Sequence, residues 1–326
     1  MAHIRVFAFL LVMLAVLPFT FTACSNTSSE EEVYLFSFFR RNGESGLYLA
    51  YSFDGLNWRE LDGGPFLVPQ LGYGLMRDPS IVQGPDGTFH MVWTTGWWER
   101  IIGYAYSKDL INWSEQQAIP VMMHEPYARN SWAPELFYDP ATGIFYIIWA
   151  TTIPDRHSYI PTSWAERGLN HRQYYTTTKD FVTFTDTQIF FNPDDFMVID
   201  AAVVKWQGEY WMFFKNENSY PREKNIRYTR SATMGANFPL TVSEPISGDL
   251  SAEGPSPLIV GDYLFVYFDQ YGVNYPFGQY GAVRTRDGIV WENVSDQLVF
   301  PRGARHGTAF TVNRSVLDRL KALSSY

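Results

Sequence analysis

The sequence predicts an all-β fold, a five-bladed β-propeller closed by N- and C-terminal strands sharing one blade, and three observations carry that prediction. A turn motif recurs along the chain, paired strand-like runs recur between its copies, and no useful helical periodicity occurs before Val316–Leu323. The turn motif is Ser/Thr-x-Asp with an aromatic residue four positions after the Asp. It ends strand-like runs at Tyr51–Trp58, Tyr106–Trp113, Thr177–Phe184 and Thr285–Trp291, with Asp54, Asp109, Asp180 and Asp287. Successive gaps are 55, 71 and 107 residues, the last about twice the first, and a degenerate copy at Tyr228–Phe238 fills the hole. Five copies result.

The interleaved repeat is a pair of β-branched and aromatic runs around a Gly, Asp or Pro turn, the pattern of a hairpin. It reads DPSIVQGPDGTFHMVW (78–93), PELFYDPATGIFYIIW (134–149), DAAVVKWQGEYWMFF (200–214) and EGPSPLIVGDYLFVYF (253–268). Units of four strands suit propeller blades. The fifth unit is split: HGTAFTV (306–312) comes from the C-terminus, VYLFSFF (33–39) and GLYLAYS (46–52) from the N-terminus. Joining both ends in one blade leaves no free sheet edge, which favours the ring over a β-sandwich with coincidental spacing.

Composition narrows the function classes. Of 326 residues 18% are charged and 17% aromatic, so the chain is globular rather than disordered. A net charge of −9 without a basic run argues against a nucleic-acid partner. Aromatic faces suit neutral sugars. At the N-terminus Arg5 precedes an apolar run, Val6–Ala23, that stops at Cys24, the only cysteine. The run has the form of a secretory signal, and Phe21-Thr22-Ala23-Cys24 resembles a bacterial lipobox, with Cys24 as the lipidated residue. The alternative is an uncleaved membrane anchor. The expected organisation is therefore a signal peptide (1–23), a polar tether (24–32) and the propeller (33–326) of an exported bacterial lipoprotein at the outer membrane or periplasmic face. Membrane contact would be through the lipid alone.

Counting back from each hairpin glycine gives the main functional expectation. Asp78 lies nine residues before Gly87; Glu135, Asp200 and Glu253 lie eight before Gly143, Gly208 and Gly261. That spacing predicts four acids at one register of the innermost strands, ringing the channel. Neighbouring carboxylates raise one another's pKa, a cost that marks functional sites. Glycoside hydrolysis needs such a set, one carboxyl protonated for the leaving oxygen and another ionised for water.

The motifs RDPS (77–80), WAPE (132–135), VIDAAVV (198–204), AEGPSPL (252–258) and RHGT (305–308) resemble, in order and spacing, glycoside hydrolase family 43 over essentially residues 33–312. The resemblance implies an inverting glycosidase in which Asp78 is the general base, Asp200 tunes and orients the acid, and Glu253 is the general acid. It implies that His306 can hold a calcium ion near the channel axis, directly or through water; from the residues alone, a buried and satisfied histidine is preferred. WAPE departs from the family's usual WAPD, and Glu135 is placed as a pocket residue. No cofactor is required by this chemistry.

Further substrate-binding candidates are Arg305 and Arg129, which could hold carboxylates or sugar hydroxyls, and Asn130 and Trp132, which precede Glu135. Trp97 and Trp98 follow the second strand of the first blade as a stacking platform. The loop 153–172, with His157, Trp164, His171 and Arg172, is expected to narrow the pocket. The expected substrate is an oligo- or polysaccharide, with an α-L-arabinofuranosidase first and a β-xylosidase, β-D-galactofuranosidase or endo-arabinanase next. A non-catalytic glycan-binding propeller is the alternative from another class. Sucrose- and fructan-cleaving propellers share an RDP motif but carry an Asn-Asp-Pro-Asn motif that is absent here. Phosphorylases lack support from any basic cluster.

Overall fold

The computed structural model describes Met1 and residues 31–157, 168–248, 251–272 and 275–323. Cys24, the apolar run before it and Trp164 lie outside the described residues. Strands β1 (Glu32–Arg40), β2 (Tyr48–Ser52) and β3 (Arg59–Glu60) open the chain. The first complete blade is β4 (Arg77–Gln83), β5 (Phe89–Thr94), β6 (Ile102–Ser107) and β7 (Gln117–Ile119). The second is β8 (Trp132–Asp139), β9 (Ile144–Thr152), β10 (His171–Thr178) and β11 (Gln188–Phe191). The third has three strands, β12 (Val198–Trp206), β13 (Glu209–Asn216) and β14 (Asn225–Ser231). The fourth is β15 (Ala252–Val260), β16 (Tyr263–Gly272), β17 (Tyr275–Thr285) and β18 (Glu292–Asn293). Finally β19 (Ala304–Arg305) and β20 (Ala309–Asn313) pair with β1, completing the fifth blade from both ends of the chain. Helix α1 (Arg314–Leu323) then buries Val316, Leu317 and Leu320 against Val33, Leu35 and Phe310.

The recurring Asp is a turn device. Asp54 Oδ1 accepts from the backbone N–H of Leu56 and Asn57, while Ser52 Oγ accepts from the N–H of Asp54 and Gly55. Ser107/Asp109, Thr178/Asp180 and Thr285/Asp287 repeat this pattern. The degenerate copy lacks the Asp, and among the described residues its blade has three strands. Five apolar clusters hold the blades together, one at each blade interface. Phe145, Ile147 and Trp149 of β9, for example, face Val92, Ile102 and Tyr104 of β5 and β6.

The four acids do not share a register, and the expectation from glycine spacing is corrected here. Each inner strand of the first four blades carries a β-bulge near its start. Arg77 pairs with Thr94 but Ser80 with Val92; Trp132 with Ala150 but Glu135 with Ile148; Ile199 with Lys215 but Ala202 with Phe213; Glu253 with Asp269 but Ser256 with Tyr267. The residue after the first of each set is left-handed, at φ 52 for Asp78, 47 for Ala133, 56 for Asp200 and 61 for Gly254. Asp78 and Asp200 are thus equivalent, Glu253 stands one position earlier and Glu135 two later. The hairpins between first and second strands differ in length. Gln83 and Phe89 bracket one, whereas Trp206 and Glu209 bracket another, so the turn glycine is no fixed ruler.

Candidate active site

The bulges aim the acids. A left-handed non-glycine residue costs of the order of 1–3 kcal/mol and persists where the surroundings impose it. At Asp78 and Asp200 that conformation turns the side chain off the alternation of the strand. Both carboxyls line, with Glu253, a single cavity of 490 Å³ at the start of the inner strands. All three predicted catalytic residues come together there, joined by Arg305 and His306 from the seam between β19 and β20. Glu253 reaches the same space because its place in the bulge is that of Arg77, Trp132 and Ile199, which also line it.

Hydrogen bonds fix the cluster. Thr94 Oγ1 donates to Asp78 Oδ2 at 2.8 Å, and the Gly254 N–H donates to Asp200 Oδ2 at 3.0 Å. His306 Nδ1 lies 3.3 Å from Asp78 Oδ1 and 4.0 Å from Asp200 Oδ2. Glu253 is gripped from two sides, by Lys215 Nζ at 3.0 Å and Arg305 Nη2 at 2.9 Å. Arg305 also donates through Nε to Asp269 Oδ2 at 2.5 Å.

These contacts separate the protonation states. Burial pushes Asp78 up, but the hydrogen bond and charge of His306, with Arg77 and Thr94, hold it at about 2. Burial pushes Asp200 up to about 6, against the pull of His306 and Lys215 and with the push of Glu253 and Asp78. Burial acts the same way on Glu253, yet Lys215 and Arg305 overcome it and hold that carboxyl at about 2. Burial disfavours charge on His306, and Asp200 and Asp78 outweigh it, raising the imidazole to about 9. Among the described residues no group of three or more His, Cys, Asp or Glu is arranged to hold a metal, and His306 Nδ1 faces Asp78 Oδ1.

The other candidates divide. Trp132 lines the cavity, donating through Nε1 to the Trp97 carbonyl at 2.7 Å and packing 4.8 Å from the His171 ring. One face of Trp97 carries the Arg77 guanidinium at 4.4 Å, and its Nε1 bonds Asn42 Oδ1, so Trp97 builds the wall. Trp98, about as exposed as Trp97, packs at 5.7 Å from Trp132 and lines the cavity. Glu135 is not in the cavity, a correction to its placing as a pocket residue. It is buried below, accepting from Thr308 Oγ1 at 3.1 Å, and burial lifts it to about 7 despite Ser80, His306 and Thr308. Asn130 is fully buried and bonds the Ala150 carbonyl and the Thr152 N–H; Arg129 is exposed, and neither lines the cavity. Of the long loop, His171 reaches the cavity, whereas Arg172 is buried on Asn170 and Asn192, and His157 is buried too.

Sequence reasoning missed Lys215, Asp269 and Thr94. The signal existed: each follows an apolar run of its second strand (FHMVW, YWMFF, YLFVYF) at the position paired with the bulge. Replacing Trp98 with Ala is expected to raise KM about three- to tenfold at unchanged kcat, because stacking of this kind binds ground and transition states alike. Steady-state kinetics on an aryl glycoside checks this; a fall in kcat at constant KM contradicts it.

Known proteins agree with this picture. A family model for a glycoside hydrolase 43-related group, described as a probable glycosyl hydrolase domain, matches residues 30–318. No curated protein matches the chain. Similar solved structures include the Bacteroides ovatus xyloglucan-locus GH43B, 18% identical over 73% of this chain and 43% of that one, with TM-score 0.52. An α-L-arabinofuranosidase from Lactobacillus brevis is 18% identical over 71% of this chain and 74% of its own, with TM-score 0.51. A xylan β-1,4-xylosidase from Bacillus halodurans is 16% identical over 74% and 44%, with TM-score 0.52. The chain thus spans less than half the length of the first and third, and at these identities the likeness is one of fold. With the family match covering almost all of the propeller and the acids of its motifs in one cavity, the chain belongs to the glycoside hydrolase 43-related family.

Proposed function

We propose that the chain is an inverting, exo-acting glycosidase that removes a terminal pentose, with an α-L-arabinofuranoside as first choice and a β-xyloside as second. One observation carries the reading: the three carboxyls line one cavity and each is held by different partners. Asp78, ionised and accepting from Thr94, suits the base that takes a proton from water. Glu253 is the carboxyl for the leaving oxygen, and Asp200 beside it in the cavity is raised by burial and by the neighbouring Glu253 and Asp78 carboxylates. Aromatic walls on the Trp98–Trp132 side and ionic groups opposite suit a sugar ring with a hydroxylated edge. The volume lies within the ~300–1,000 Å³ of small-molecule sites. Neighbouring folds named as an arabinofuranosidase and a xylosidase support pentose as the class.

The test is a panel of aryl α-L-arabinofuranoside, β-D-xyloside and β-D-galactofuranoside substrates, with proton NMR of the first-formed sugar. Turnover of a pentoside with inverted configuration is expected. Retained configuration overturns the assignment of Asp78, and glycan binding without hydrolysis points to the non-catalytic propeller.

A further inference from the structure

Two of the cations lining the cavity have no carboxylate of their own. Arg41, Arg77, Lys215 and Arg305 all line it. Lys215 is paired with Glu217 and Glu253, and Arg305 with Glu253 and Asp269. Arg41 and Arg77 form no ion pair among the described residues. The Arg77 guanidinium stands 4.4 Å from the Trp97 ring and 4.8 Å from the Phe39 ring, and donates to Asn42 Oδ1 at 3.1 Å. None of these partners is charged. Asp78, next in the chain, feels the charge of Arg77 but is bonded by Thr94 and faces His306.

Arg41 is exposed and left-handed, at φ 53, in the turn that follows β1. Such positions are unfavourable for a side chain and collect at ligand clamps. The turn is fixed to the start of β4. Met76 N–H donates to the Gly43 carbonyl at 2.9 Å, and a Cβ on Gly43 would stand 2.8 Å from Arg77 Cγ. Both arginines are thereby held on one side of the mouth. Glu44, on the same turn, accepts from the Asn42 N–H at 3.3 Å.

We propose that Arg41 and Arg77 form an anion subsite at the mouth of the cavity, which takes the carboxylate of a uronic acid to which the cleaved pentose is attached. This deepens the glycosidase reading and rests on it. On that reading the terminal sugar lies among Asp78, Asp200 and Glu253, and the rest of the glycan leaves past the rim, where Arg41 is exposed. The aromatic wall of Trp98, Trp132 and Trp97 ends on Arg77, so a sugar following that wall brings its edge to the guanidinium. A planar guanidinium matches a carboxylate with two parallel N–H bonds. A neutral glycan gains nothing from two such cations. In a chain of net charge −9, an acidic glycan needs positive charge placed at the site itself.

The experiment uses two pentose-capped oligosaccharides, one with a uronic acid next to the terminal pentose and the other its neutral, carboxyl-reduced counterpart. The acidic compound is expected to have a kcat/KM about tenfold higher, mainly through KM, as one charge-assisted contact provides. The preference should shrink as sodium chloride is raised from about 0.05 to about 0.5 M. Arg41 has no hydrogen-bond or ion-pair partner among the described residues, so Arg41→Gln is expected to melt as wild type does while losing most of the preference. Arg41→Lys, which keeps the charge without the fork, is expected to fall between. Equal kcat/KM for the two compounds in the wild type, or a preference that Arg41→Gln leaves unchanged, overturns the proposal. Turnover that rises with inorganic phosphate gives the arginines to a free anion and overturns it too. Where the wild type cleaves neither compound, calorimetric titration with the same pair separates the two readings. Tighter binding of the acid, lost in Arg41→Gln, keeps the subsite while the glycosidase reading fails; equal binding removes the subsite as well.

Discussion

Changing Glu253 to Gln is expected to lower turnover of natural glycosides by about three orders of magnitude, within the 10²–10⁴ range of general acid catalysis. The loss should depend on the leaving group. A glycosidic oxygen attached to another sugar departs only with a proton, which the amide cannot give. A dinitrophenolate departs without one, so on that substrate the same variant should keep activity within about tenfold of wild type. Asp78→Asn behaves differently. Its carboxylate is needed to take the proton from water whatever leaves, so the loss of about three orders of magnitude should appear on both substrates. The geometry supports the contrast. Asp78 faces His306 through Oδ1 at 3.3 Å and accepts from Thr94 on Oδ2, and the remaining lone pairs can take the proton from water. Comparing kcat for the two variants on a xylobiose-type and a dinitrophenyl substrate decides it. Equal losses for Glu253→Gln on both substrates exclude it as the acid.

The blade count and the split fifth blade were legible because each rests on local signals, whereas the choice of three acids came from the family motifs. A Ser/Thr-x-Asp turn is closed by bonds within four residues, as at Ser52–Asp54–Asn57, and so leaves an imprint at fixed spacing. The third blade has three strands where units of four were expected, and its turn is the copy that lacks the Asp. Register was not legible. It depends on a bulge whose extra residue leaves no trace in composition: Asp78, Ala133, Asp200 and Gly254 share one conformation with three side-chain types. Measuring from the turn glycine therefore made Glu135 an equal of Asp78, when its true equivalents are Ser80 and Ser256. Those two serines bond the next blade, through the Leu136 and Ala309 N–H groups, and Glu135 does comparable work with Thr308. The ion chain through Lys215 was hidden for another reason. Its members come from positions 215 to 305 and meet only when the ring is closed. A lysine after an apolar run is visible in sequence; its partners are not.

Ring closure itself rests on Gly307, and Gly307→Ala is expected to destabilise the fold by about 3 kcal/mol, at the upper end of overpacking costs. The glycine lies between His306 of the site and Thr308 of the seam. Ser37 and Thr308 exchange backbone hydrogen bonds at 3.0 and 3.2 Å, which ties the first strand of the chain to its last. Ser37 Oγ donates to the Pro79 carbonyl at 2.6 Å, carrying the seam into the first blade. A Cβ on Gly307 would stand 1.7 Å from the Ser37 carbonyl oxygen, a backbone atom that cannot swing aside as a side chain does. Relief needs β20 to part from β1, and the exchanged bonds are then lost. At ~2–4 °C per kcal/mol for domains of 150–250 residues, and somewhat less for a larger ring, Tm should fall by roughly 5–10 °C. Gly143→Ala is the control: φ is +68 but nothing lies within 4 Å of the added carbon, so only the left-handed penalty of ~1–2 kcal/mol applies. Because His306 directly precedes Gly307 in the segment leading into β20, the Gly307 variant should also lose activity below its Tm, whereas the control should not. A Gly307→Ala protein that melts with the control and keeps full turnover would show that closure tolerates a wider seam, and that His306 is held by the carboxylates around it and not by the strand.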